Sequence, residues 1–149
     1  MLCIISNGMV PPINYLAVLV CGVVNMFIGA LWYGPLFGKK WIALMGWTPE
    51  SMAAAKSKGM AKQYTIMFAG SLIMAWVLAH AMIFASTYLN ASGVSSGLMG
   101  GFWNWLGFIA PVLLGSVLWE GKPWKLYCLN VTYYLVSLMA MGVILSVWM

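Results

Sequence analysis

The placement of positive charge is the feature that most constrains this chain. All seven basic residues are lysines; five lie between Lys39 and Lys62, and the others are Lys122 and Lys125. Around them the chain is 64% hydrophobic and only 6% charged, whereas soluble domains are about 25% charged. A nucleic-acid-binding surface would spread basic residues along a groove. The composition therefore predicts an integral membrane protein whose first partner is the lipid bilayer, with no nucleic-acid partner.

Four apolar stretches are long enough to cross a bilayer, which requires about 20 residues. Pro11 and Pro12 precede the first stretch, and Gly34-Pro35 ends it. Turn-forming residues at 90–93 and 120–123 separate the last three stretches. The pattern predicts a single all-α transmembrane domain over residues 1–149, an integral membrane four-helix bundle. The predicted spans are at about residues 14–37, 62–89, 94–119 and 123–148.

The charge pattern also predicts an orientation. Lysines follow the first and third spans, while the N-terminus, the Asn90 turn and the C-terminus carry no charged side chain. Because cytoplasmic connections are enriched in lysine and arginine, we expect both lysine-bearing connections to lie in the cytoplasm. Both termini are then expected outside the cytoplasm.

The connection between the first two spans predicts a short amphipathic surface helix at about residues 49–58. Thr48 is a suitable N-cap before Pro49, and Gly59 is a suitable C-terminal stop. Lysine and aromatic residues at this side are expected to anchor the protein among lipid headgroups. The predicted interfacial anchors are Trp32, Tyr33, Lys39, Lys40, Trp41, Trp119, Glu120, Lys122 and Trp124.

Short similarities between the two halves suggest an internal repeat. The tetrapeptide LWYG at residues 31–34 resembles LWEG at 118–121, and SLIMA at 71–75 resembles SLMA at 137–140. Two explanations are open: duplication of a helical hairpin in the same orientation, or chance recurrence of apolar residues. Duplication predicts two parallel-repeated hairpins related by a pseudo-twofold axis along the membrane normal.

Small residues line one side of the third span and part of the first. Membrane helices associate through such faces, because small side chains let the backbones approach closely. We expect this face to contact another helix, either in the same chain, in a second copy or in another membrane subunit. The predicted packing face comprises Gly93, Gly97, Gly101, Gly107, Pro111 and Gly115 on span three, and Gly22 and Gly29 on span one.

Each span also brings one polar side chain to about the same depth, near the bilayer midplane. These residues are Asn25, His80, Asn104 and Ser137. Counting about 1.5 Å per residue places Asn25 and Asn104 roughly 15 Å from the outer ends of their spans. Three interpretations are open: hydrogen bonds between helices, a polar pocket or proton path, or metal ligation by His80. Because the chain has one histidine and no paired cysteines, we expect no metal and no cofactor.

Enzymatic activity is not expected from this sequence. His80 and Glu120 are predicted in opposite halves of the bilayer, whereas acid–base catalysis requires titratable groups close together. The first functional hypothesis is a non-enzymatic membrane protein, either a homo-oligomer or an accessory subunit of a larger complex. The alternative is a transporter or channel for a small solute or protons that uses the midplane polar layer.

Four motifs occur in a specific order along the chain: LWYGPLFGKKW at residues 31–41, MAK at 60–62, LAH at 78–80 and EGK at 120–122. Their order resembles domain-of-unknown-function family 1761, and LWYGPLFGKKW is the most specific of them. The similarity covers nearly the whole chain from Asn14 onward. It implies a small four-helix protein of the bacterial inner membrane, and it supplies no activity and no catalytic residue.

Overall fold

The chain folds into helices whose ends are set by proline, glycine and capping side chains. The computed structural model describes residues 13–57, 59–90 and 92–148; residues 1–12, with Pro11 and Pro12, and Lys58 lie outside this part. The helices are α1 (Tyr15–Leu36), α2 (Gly38–Met45), α3 (Pro49–Ser57), α4 (Ala61–Leu89), α5 (Gly93–Leu118) and α6 (Trp124–Val147).

Four of these helices, α1, α4, α5 and α6, are long and apolar enough to cross a membrane. The predicted all-α membrane bundle is therefore confirmed, and the four helices begin and end within one residue of the predicted positions. The helix α2 was not predicted. It ends at Gly46, whose φ of 70° is a left-handed conformation that glycine adopts without steric cost.

Proline explains a widened turn in both α1 and α5. Proline lacks the N–H that would bond the carbonyl four residues earlier. In α1, Pro35 lies within a π-helical turn in which Phe37 N donates to Trp32 O at 2.9 Å. In α5, a π-helical turn over Trp105–Ile109 precedes Pro111, and Ala110 N donates to Trp105 O. Each proline is thus accommodated by a turn in which a backbone N–H bonds the carbonyl five residues earlier instead of four.

The bundle is organised around α4 and α6. Helix α5 packs most extensively on α6, α1 packs on α4 and α6, and α4 also contacts α5 and α6. At one end, Asn14 caps α1 by accepting from Leu16 N and Ala17 N, and its Nδ2 donates to Trp148 O. The core between the helices is apolar, and its most buried members are Ala17, Cys21, Ala75, Met82 and Met141.

Glycines bring α5 and α6 into direct backbone contact. A Cβ added to Gly97 would lie 2.5 Å from Gly142 O, and one added to Gly142 would meet Gly97 O in return. A Cβ on Gly101 would meet the backbone of Leu138. Because real Cβ atoms do not approach backbone this closely, only glycine fits these positions. This part of the predicted packing face is therefore occupied within the chain.

Both lysine-bearing segments lie at the same end of the bundle. Helices α2 and α3 connect the end of α1 to the start of α4, and Lys122 and Lys125 lie where α5 ends and α6 begins. At the start of α3, Ser51 N donates to Thr48 Oγ1 and Thr48 N donates to Ser51 Oγ. This reciprocal capping satisfies backbone donors that a helix start leaves free.

Candidate functional site

A buried chain of hydrogen bonds joins three of the four spanning helices. Tyr133 OH on α6 donates to Asn25 Oδ1 on α1 at 3.1 Å, and Asn25 Nδ2 donates to Ser71 Oγ on α4 at 2.6 Å. Ser71 Oγ in turn donates to Met67 O at 2.9 Å. All three side chains are at most 5% exposed. We call Asn25, Ser71 and Tyr133 the buried polar cluster.

The buried polar cluster needs space that a glycine provides. A Cβ on Gly29 would lie 3.2 Å from Tyr133 OH, so the bare backbone of α1 makes room for the phenol. Toward the lysine-bearing end, the ring of Tyr133 lies 5.1 Å from that of Tyr33, whose hydroxyl donates to Asn130 Oδ1. Aromatic rings thus cover the cluster on this side, and its polar groups bond to one another. The cluster is suited to fixing the register of α1, α4 and α6.

Ser137 follows Tyr133 by one helical turn on the buried face of α6. Its side chain is fully buried, and its Oγ has no hydrogen-bond partner of good geometry within the described residues. Of the four residues predicted to form a midplane layer, Asn25 and Ser137 are therefore the two that lie buried between the helices.

His80 lies on a different side of α4 from the buried polar cluster. It follows Ser71 by nine residues, which is about two and a half turns of helix and about 13.5 Å of rise. His80 is half-buried; its Nδ1 is 2.9 Å from Trp76 O, and its ring lies edge-on to Trp76 at 4.4 Å. Its contacts in this region are thus with its own helix, and the structure does not bring it to Asn25.

Asn104 faces an apolar cleft between α4 and α5. The cleft has a volume of about 320 Å³, and Met74, Val77, Leu78, Phe108, Ile109 and Leu138 line it with Asn104. Asn104 is half-buried, and its Nδ2 donates to Gly100 O of its own helix at 2.9 Å. Its Oδ1 makes no hydrogen bond to the described part of the chain. One amide thus lies at membrane depth with unused hydrogen-bonding capacity.

The remaining members of the predicted packing face divide into two groups. Gly22 contacts Leu72 and Phe68 of α4, with a hypothetical Cβ 2.6 Å from Leu72 Cδ2. At Gly93 and Gly107, by contrast, an added Cβ would have no atom of another element within 4 Å in the described structure. Gly115 would meet only Trp119 at 3.8 Å, and Pro111 is exposed. Within the chain, α4 packs against Gly22, and α6 packs against Gly97 and Gly101.

The predicted interfacial anchors all lie at the lysine-bearing end. Lys39, Lys40, Trp119, Glu120 and Trp124 are exposed. The half-buried members include Trp32, Tyr33, Trp41 and Lys122. Trp32 Nε1 donates to Leu129 O at 3.2 Å, which ties this end of α1 to α6. Trp105 makes a similar bond from α5 to Val131 O at 2.7 Å.

The charged surface outside the membrane helices includes one carboxyl whose pKa is shifted. Hydrogen bonds from the Glu50 backbone N–H and from the Thr48 side chain hold the pKa of Glu50 below its ordinary value of 4.5. Glu50 is fully exposed at the start of α3. Within residues 13–57, 59–90 and 92–148, no three His, Cys, Asp or Glu side chains are grouped closely enough to hold a metal ion.

Sequence reasoning missed Ser71 and Tyr133 as partners of Asn25. A usable signal was present for Ser71, because it opens the SLIMA stretch that resembles the one at Ser137. Tyr133 gave a weaker signal, since tyrosine in a membrane helix also occurs at headgroup level. The tyrosine hydroxyl reaches Asn25 only because Gly29 leaves space beside it.

The fold and these clusters define a multi-pass α-helical membrane protein with a buried, hydrogen-bonded interior. The chain belongs to the family of proteins of unknown function DUF1761, which matches residues 16–146. The resemblance noted in the sequence is therefore confirmed. No curated protein matches the chain, and no solved structure matches it.

Proposed function

We propose that this protein is a non-enzymatic membrane subunit that acts by associating with other transmembrane helices, in the first place with a second copy of itself. The cleft between α4 and α5 is the proposed contact surface. The observation that carries the proposal is Asn104, an amide at bilayer depth whose Oδ1 has no partner among the described residues and whose surroundings are apolar.

The chemistry of Asn104 favours a second copy. A polar side chain in hydrocarbon gains stability by bonding to a neighbouring helix. An amide is both a donor and an acceptor, so two Asn104 side chains can pair with each other across a twofold axis. The exposed aromatic residues on the same helix, among them Trp103 and Phe108, would supply apolar contact around the pair.

The alternative hypothesis of transport through a midplane polar layer finds less support. The buried polar cluster is at most 5% exposed, and its three side chains bond to one another. His80 and Asn104 lie apart from it, each bonded to a carbonyl of its own helix. A solute or proton path would need these groups to line one continuous cavity. We also propose no catalytic role, since the described residues that line the cleft with Asn104 include no titratable side chain.

Self-association is best tested in liposomes, because detergent competes for apolar surfaces. The full chain would be labelled with a donor or an acceptor dye, and energy transfer measured as the protein-to-lipid ratio is varied. We expect wild type to dimerise. Asn104→Leu, which keeps the number and branching of side-chain heavy atoms and removes the amide, should weaken the dimer by about 30-fold, from two hydrogen bonds of about 1 kcal/mol each.

The matched control is Thr87→Val. Thr87 is an exposed polar residue of α4 that bonds to its own helix and does not line the cleft, so its loss should leave dimerisation unchanged. A monomer at every protein density, or equal dimerisation of wild type and Asn104→Leu, would refute self-association through this cleft. Loss of dye-reported solute flux in His80→Ala liposomes would instead favour the transport alternative.

A further inference from the structure

A second cleft lies at the lysine-bearing end, between the start of α2 and the start of α6. Its volume is about 370 Å³. Two lysines from different parts of the chain line it, Lys40 from the first connection and Lys125 from the second. Among the residues that the structure describes, no acidic side chain lines it. Two positive charges thus lie beside one cleft. Repulsion between them is unfavourable, and a bound anion would offset it.

The two helix starts add to this positive potential. Lys40 is in the first turn of α2, which begins after Phe37, and Lys125 is in the first turn of α6, which begins after Pro123. Neither start has a side chain capping its free backbone N–H groups. The N-terminus of a helix carries a partial positive charge and favours anions. The cleft therefore combines two lysines with two uncapped helix starts.

The other walls of the cleft are mainly apolar and aromatic; the one hydroxyl among them, that of Thr132, is bonded to Cys128 O of its own helix. They include Trp32, Phe37 and Trp124, and along α6 the cleft continues past Cys128 to Leu129, in the direction of the membrane interior. The indole N–H of Trp32 is already bonded to Leu129 O, so this ring presents its apolar surface. Tryptophan at such a position is typical of the headgroup boundary. A small free anion would leave these walls uncovered, whereas an acyl chain would cover them.

We propose that this cleft binds an anionic glycerophospholipid. Its phosphate lies against Lys40 and Lys125, and its acyl chain follows the apolar wall along α6 toward Leu129. Since Lys40 belongs to the first helical hairpin and Lys125 to the second, the bound lipid joins the two hairpins at this end of the bundle. This inference is independent of self-association at the α4–α5 cleft.

Native mass spectrometry of the purified full chain provides the test. The probes are phosphatidylglycerol, phosphatidylcholine with the same acyl chains, and inorganic phosphate. We expect phosphatidylglycerol to be retained preferentially. The double variant Lys40→Gln/Lys125→Gln should bind it about 30-fold more weakly, at about a kilocalorie per mole for each lysine near an anionic lipid.

The chain supplies a matched control with the same change in net charge. Lys39 and Lys122 lie in the same two connections and do not line the cleft. Lys39→Gln/Lys122→Gln should therefore weaken phosphatidylglycerol binding clearly less than the cleft variant does. Equal weakening in both double variants would show only a general charge effect and would overturn the site. Equal retention of phosphatidylcholine, or tight binding of inorganic phosphate alone, would overturn an anionic lipid as the occupant.

Cys128 offers a second measurement that does not depend on a variant. It is an exposed free thiol in the wall of the cleft. In mixed micelles, phosphatidylglycerol should slow its reaction with a maleimide, followed by mass spectrometry on the peptide that contains Cys128 because the chain also has Cys3 and Cys21. Phosphatidylcholine should not slow it, and high salt should abolish the protection. An unchanged labelling rate with phosphatidylglycerol would contradict the proposal even if the lysine variants failed to fold.

Discussion

Replacing Gly101 by alanine probes the closest approach of α5 and α6. The new Cβ would lie 2.7 Å from the carbonyl carbon of Leu138 and 2.7 Å from Cα of Met139, and closer still to Leu138 O. Ordinary contact begins at 3.4 Å. The obstructing atoms belong to the backbone and cannot rotate away. The two helices must therefore separate locally by at least about 0.7 Å, the difference between those distances.

The magnitude of this effect can be isolated with a second glycine on the same helix. Alanine at Gly107 would meet no atom of another element within 4 Å in the described structure. Both substitutions gain helix propensity of about 1 kcal/mol, but only Gly101→Ala adds overpacking, which costs about 1–3 kcal/mol. Because backbone is the obstacle, we expect Gly101→Ala to be less stable than Gly107→Ala by about 2–3 kcal/mol.

Reversible unfolding in mixed micelles of a mild detergent and sodium dodecyl sulfate gives the required free energies. Helix content is followed by circular dichroism, and both variants are compared with wild type under identical micelle composition. Wild type and Gly107→Ala should both unfold at higher dodecyl sulfate fractions than Gly101→Ala. Equal stability of the two variants would refute the glycine-mediated contact between α5 and α6.

Three further outcomes follow from the polar contacts. Tyr133→Phe should lower the free energy of unfolding by about 1 kcal/mol, because Asn25 Oδ1 loses its donor; the same micelle assay measures this. Ser137→Ala should change stability little, since its Oγ has no well-placed partner. Equal losses of unfolding free energy in the two variants would contradict a stabilising role of the buried polar cluster. By carbon NMR titration, Glu50 should show a pKa below 4.5, and Thr48→Val should raise it. Because the pKa of Glu50 is depressed in the folded chain, the ionised carboxylate stabilises α3 above pH 4.5. This stabilisation is lost as the pH falls through the folded-state pKa of Glu50.

The ends of the membrane helices were predictable because local chemistry sets them. Gly34-Pro35, Asn90 and Gly121 each interrupt an apolar stretch, and Asn90 and Gly121 adopt positive φ values of 49° and 68°. The short helix α2 was missed because eight residues carry little periodic signal and its start depends on the close approach of Gly38 to the Tyr33 carbonyl. A Cβ at Gly38 would lie 2.5 Å from Tyr33 O, a contact that no local pattern reveals.

The arrangement of polar side chains around the helix axes was harder to predict. Counting residues from the outer helix ends placed Asn25 and His80 at similar levels, and this was wrong: Asn25 bonds to Ser71, which lies about 13.5 Å along α4 from His80. The rotation of each helix about its axis depends on which face packs inward, and tertiary contacts determine that face. In α4 the inward polar residue is Ser71, about two and a half turns from His80. Gly142 was also missed, although it is the one glycine of α6 and provides the partner surface for Gly97.

We propose that the chain crosses the bilayer four times with both lysine-bearing connections on the cytoplasmic side, as the distribution of its lysines predicts. The direct test is cysteine labelling in intact cells with a membrane-impermeant maleimide, in a background that lacks the native thiols. Lys56 lies in α3, and Ser92 lies at the opposite end, between α4 and α5. Ser92→Cys should react from outside, and Lys56→Cys should react only after the membrane is permeabilised. Reaction of Lys56→Cys in intact cells, or of both positions from the same side, would contradict the account.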